Sequence, residues 1–114
     1  MQALSILEPA ARGNEPRRFM RGLTDFGKIR NTDTPFWYYD MDLLRATVDK
    51  AAELSRKYGI GLHYAVKANV EPRIVQYISS KGFGADCVSG NEVVFAAENG
   101  FSPDTIVYAG VGKT

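Results

Sequence analysis

From Pro35 onward the chain alternates two patterns: short runs dense in apolar, aromatic and β-branched residues, and longer stretches whose apolar positions recur every three or four residues. The first pattern suits a buried strand and the second one face of a helix. Phe36-Trp37-Tyr38-Tyr39 predicts a strand, and Asp40 follows it as an N-cap. Leu44, Val48, Ala51 and Ala52 then mark the apolar stripe of a helix that runs to about Tyr58, with Gly59 as its stop. Residues 61–66 predict the next strand; Asn69-Val70-Glu71-Pro72 turns the chain and delivers Pro72 to a first helical position, where its missing N–H costs nothing. Ile74, Val75 and Ile78 form the buried face of that helix, and Gly82 closes it. Residues 83–88 predict a third strand, Ser89-Gly90-Asn91-Glu92 has the spacing of a capping box, and the helix it opens ends at Asn99-Gly100. After the Ser102-Pro103-Asp104 turn, residues 105–109 predict a fourth strand.

Strand starts near positions 36, 61, 83 and 105 keep a nearly constant interval, the rhythm of consecutive βαβ units in a parallel sheet. The fold class is therefore α/β, and a doubly wound sheet and a (β/α)8 TIM-type barrel share this rhythm. A full barrel takes about 250 residues, so four strands correspond to an incomplete barrel, its first βα units. Residues 1–34 lack a sustained period and read as a loop-rich leader with a short strand near Leu4; residues 35–114 carry the repeating pattern.

Charge changes this picture little. The 14 basic and 13 acidic residues give a net charge of +1, which announces neither a nucleic-acid surface nor an acidic tail. No signal-peptide pattern or apolar run of about 20 residues is present, so neither secretion nor a membrane span is expected. The single cysteine, Cys87, rules out an internal disulfide and Cys-pair metal motifs and fits a reducing, cytoplasmic compartment.

One residue stands out chemically. By strand alternation Lys67 shares its side with Ala65, His63 and Gly61, whereas Leu62, Tyr64 and Val66 point the other way. In a barrel this places Lys67 at the carboxyl end of a strand facing the lumen, the catalytic rim, where a lysine amine is suited to Schiff-base chemistry with a carbonyl compound. The plainer alternative is a solvated charge at a strand end. His63 has no second imidazole for a metal site and reads as a packed strand residue, and Cys87 reads as core. Gly112-Lys113-Thr114 is no Walker loop, because Val107 stands where its first glycine is required.

Tyr64-Ala65-Val66-Lys67-Ala68-Asn69, Gly84-Ala85-Asp86-Cys87-Val88-Ser89-Gly90-Asn91-Glu92 and Gly110-Val111-Gly112-Lys113, in this order and spacing, resemble the diaminopimelate decarboxylase family of fold type III pyridoxal-phosphate enzymes. The resemblance covers roughly residues 34–114; Asn91 departs from it, since a second glycine is common there. It implies that Lys67 binds pyridoxal 5'-phosphate covalently, that Asp86 and Glu92 are acidic groups near that lysine, and that meso-2,6-diaminopimelate is decarboxylated to L-lysine. It also implies a homodimer and a C-terminal β domain to which the leader contributes. The cofactor-phosphate segment, the acidic partner of the pyridine nitrogen and a segment supplied across the dimer are not found in these residues. The chain is accordingly expected to be an N-terminal portion, inactive alone. Related fold type III enzymes, a pyridoxal-phosphate carrier and a structural fragment are the alternatives. For Glu92 the capping box is a competing role, and for Asp86 a strand-end turn.

Overall fold

A computed structural model describes residues 32–110 of the chain. The predicted leader lies almost wholly outside the described residues, as do Val111, Gly112, Lys113 and Thr114. The chain divides into two units between Leu44 and Arg45.

In the first unit, residues 32–40 precede the start of helix α1 (Met41–Tyr58). Asp40 caps this helix as its sequence predicts: its Oδ1 accepts from the Leu43 N–H at 3.0 Å, and its carbonyl accepts from the Leu44 N–H at 3.0 Å. The aromatic run before it is not a strand. Phe36 to Tyr39 join no ladder among the described residues, and Trp37 is 64% exposed. Aromatic β propensity expresses packing against cross-strand neighbours, and without a partner strand the same residues remain irregular.

The second unit holds the remainder of α1 and two further strand and helix pairs. Strands β1 (His63–Ala65), β2 (Gly84–Cys87) and β3 (Ile106–Tyr108) form a parallel sheet in the order β1-β2-β3. Helix α2 (Pro72–Ser80) connects the first two and α3 (Gly90–Glu98) the second two. His63 pairs with Gly84, Ala65 with Asp86, and Asp86 with Val107. These strands are shorter than the apolar runs that predict them; turns of 3-10 helix take Val66 from the end of β1 and Thr105 from the start of β3. A glycine at positive φ follows each helix (Gly59, Gly82 and Gly100), where a side chain would be strained.

Alternation divides the sheet sharply. On one side Ala85 and Cys87 are fully buried, and α3 packs over β2 and β3. Val66, Val75, Ala96 and Phe101 complete this core together with Ile74 and Ile78. Burial pushes the Cys87 thiol pKa up, and the negative charges of Glu92 and Asp86 push it further in the same direction. Cys87 is thus a core residue, as its sequence setting predicts. The other side carries His63, Ala65, Gly84, Asp86 and Val107, which are small, polar or partly exposed.

Polar contacts tie α1 to α2. Tyr77 donates its hydroxyl to Asp49 Oδ1 at 2.7 Å, and Lys81 Nζ lies 3.0 Å from the same oxygen and 5.1 Å from the centre of the Tyr77 ring. The Tyr77 and Lys81 donors hold the Asp49 carboxyl below its ordinary pKa, and Asp49 raises that of Lys81.

Candidate active site

The polar side of the sheet gains its chemistry at the carboxyl ends of β1 and β2. β1 ends at Ala65, and Lys67 sits in the middle of the Val66–Ala68 turn. Simple alternation therefore does not reach the lysine; the turn presents it. Val66 anchors the turn from below, fully buried, and the turn packs on β2 and α3. Tyr64 closes it from the side, its hydroxyl donating to the Asn69 carbonyl at 2.8 Å. Asn69 Oδ1 in turn accepts from the Glu71 N–H at 2.8 Å, the short-range bond that leads the chain into α2. Lys67 itself is exposed, and its ammonium has no hydrogen-bond or ionic partner among the described residues.

Asp86 lies on the same sheet as a partner of Ala65, whose single methyl leaves its side of the sheet low. Its Oδ1 is buried and accepts no hydrogen bond among the described residues. A buried carboxylate oxygen without a donor is costly, and one in a native fold calls for an explanation. Next to it, two positions back along β2, the missing side chain of Gly84 makes room for His63. A Cβ at Gly84 would stand 2.4 Å from His63 Cδ2, 2.6 Å from its Nε2 and 2.5 Å from the Thr105 carbonyl oxygen. His63 is nonetheless exposed, its ring laid against Gly84 rather than packed in the core as its sequence setting predicts.

Glu92 occupies a different place. Ser89 Oγ accepts from the Glu92 N–H at 3.2 Å, as a capping box requires, but Glu92 Oε2 accepts from Val88 N–H at 2.8 Å, one residue before the cap. One oxygen of this carboxylate is thereby committed to the junction of β2 and α3. Lys67, Asp86 and Glu92 are the residues that the sequence singles out; strand alternation puts Tyr64 only on the apolar side, and the one signal of its role is the turn-forming Asn69 that follows the lysine.

The sequence profile of the family described as pyridoxal-dependent decarboxylase, pyridoxal binding domain, matches residues 44–114. The chain belongs to this family. It is 45% identical over 95 residues to the diaminopimelate decarboxylase of Bacteroides thetaiotaomicron, covering 82% of this chain and 25% of that protein. It is 34% identical to the diaminopimelate decarboxylase of Aquifex aeolicus, over all of this chain and 27% of that one. The crystal structure of diaminopimelate decarboxylase from Helicobacter pylori complexed with L-lysine superposes with a TM-score of 0.61 at 35% identity, covering 77% of this chain and 22% of that one. The chain thus spans about a quarter of the length of the curated relatives it matches.

Pyridoxal phosphate is the cofactor this family implies, and the residues present fit it. The exposed, unpaired Lys67 amine is available to an aldehyde, and the orphaned Asp86 Oδ1 is an acceptor awaiting a donor or a positive charge. No helix among the described residues is long and apolar enough to cross a membrane.

Proposed function

We propose that this chain supplies the cofactor lysine of a diaminopimelate decarboxylase, which converts meso-2,6-diaminopimelate to L-lysine and carbon dioxide in lysine biosynthesis. The observation that carries the proposal is the conjunction of an unpaired lysine on a clamped turn at the end of β1 and an unpartnered buried carboxylate oxygen on β2. Pyridoxal phosphate, when bound, supplies an electron sink for the pair left when the carboxylate departs from the substrate α-carbon. Lys67 Nζ would hold the cofactor through its aldehyde and, as an amine, would hold or give up a proton at that atom. A proton replaces the lost carboxylate at the α-carbon, so the product is the monocarboxylic diamine. Asp86 Oδ1 would stabilise a positive charge brought beside it, and Glu92 holds the Val88 N–H at the junction of β2 and α3.

In this reading residues 35–114 form the first βα units of a (β/α)8 barrel and residues 1–34 a leader that joins a β domain. The complete protein is a cytoplasmic homodimer, and the chain by itself has no decarboxylase activity. The test is a chimera in which residues 32–114 replace the matching segment of the Helicobacter pylori enzyme. It is expected to release carbon dioxide from meso-diaminopimelate in preference to ornithine or arginine, and to lose this with Lys67→Ala. A chimera equally active with alanine at position 67, or one that prefers ornithine, contradicts the proposal.

A further inference from the structure

The bond from Tyr64 to Asn69 has a feature that sets it apart from ordinary loop contacts: it brackets the whole Val66–Ala68 turn, with Lys67 at the centre of the closed segment. Alternation along β1 directs Tyr64 to the side opposite His63 and Ala65, so its ring does not share the surface on which Ala65 and Asp86 pair. Val66 is locked in the core on that same opposite side. The turn is therefore fixed at two points, one apolar and one polar, while the exposed Lys67 ammonium has no hydrogen-bond or ionic partner among the described residues. Asn69 extends the constraint, since its side chain accepts from Glu71 N–H and couples the turn to the start of α2.

We propose that Tyr64 is a positioning residue for Lys67, its hydroxyl setting the backbone from which the amine reaches the cofactor aldehyde. This rests on the assignment of Lys67 as the cofactor lysine. An amine on an unclamped turn would sample more backbone conformations and spend less time at bonding distance. In this role the hydroxyl acts on the amine through the turn, by its bond to the Asn69 carbonyl.

Affinity for pyridoxal phosphate, read from the visible absorbance of the bound cofactor, separates the possibilities when measured in the full chain and its Tyr64→Phe, Tyr77→Phe and Lys67→Ala variants. Phenylalanine keeps the ring and its packing and removes only the donor. Tyr64→Phe is expected to weaken affinity about three- to tenfold, the range set by one net hydrogen bond, and to speed amide exchange across residues 66–69. Tyr77→Phe, which removes a phenol bond between α1 and α2, is expected to leave affinity unchanged. Equal affinity in the wild type and Tyr64→Phe overturns the inference, and so does an equal loss in Tyr77→Phe, which would mark a general loosening. A wild type that binds no better than Lys67→Ala overturns the assignment of Lys67 itself, and the inference with it.

Discussion

Lys67 and Glu92 both lie within the residues that match the decarboxylase family, yet their surroundings differ in kind. The turn around Lys67 meets its polar needs with other groups, Tyr64 to Asn69 and Asn69 to Glu71, and leaves the ammonium unbonded. At the start of α3 the charged group is itself part of the scaffold, since Glu92 receives the Val88 N–H while its own N–H is received by Ser89. Matching a motif therefore does not assign a role. A side chain free for chemistry is one whose neighbours hold the backbone without it, and by this criterion Asp86, with a buried and unpartnered oxygen, sides with Lys67.

The strongest way to break the contrast is to exchange the two charges for methyl groups. Lys67→Ala is expected to abolish covalent trapping of pyridoxal phosphate and to shift stability by no more than about 0.5 kcal/mol, as for an exposed residue without contacts; reductive trapping and chemical denaturation read the two effects. Gly84→Ala sharpens the description of the surface beside Asp86. Its methyl would strike both the His63 ring and the Thr105 backbone oxygen, and the second cannot swing aside, so a loss of about 1–3 kcal/mol is expected in urea denaturation. Glu92→Ala should cost about 1 kcal/mol, the scale of a lost helix cap, while Lys67 remains the trapped residue. Loss of trapping at unchanged stability in Glu92→Ala would place it with the chemistry instead.

The smallest effect concerns the contact between α1 and α2. The folded-state pKa of Asp49 is depressed, so its contribution is present above the unfolded carboxylate value and is lost as pH falls through the lower folded one. Melting temperature should drop across that acidic window in the wild type and drop less in Asp49→Asn.

Much of the second unit was legible because local and tertiary signals agree there. Pro72 and Ser89 begin helices there as predicted, as Asp40 does in the first unit, and Ile74, Val75 and Ile78 are all buried. Phe36 to Tyr39 failed as a strand because a run of aromatics specifies a pleated surface only when a neighbouring strand is there to pair with it. Strand alternation alone was sufficient to put His63, Ala65 and Asp86 on one side of the sheet. It was not sufficient for Lys67, whose presentation depends on a 3-10 turn and on a phenol bond reaching five residues along the chain. Nothing in the order of residues distinguishes a tyrosine that packs from one that also clamps. Nor does the S-x-x-E spacing reveal that the glutamate reaches past Ser89 to Val88.

Among the four lysines of the described residues, Lys67 is set apart by its local structure. Reduction with borohydride in the presence of limiting pyridoxal phosphate, followed by peptide mapping, tests this distinction directly. The label is expected on Lys67, with little on Lys50 or Lys81, whose ammonium groups are paired with Glu53 and Asp49. Label spread evenly over the lysines, or concentrated anywhere but Lys67, would contradict the account.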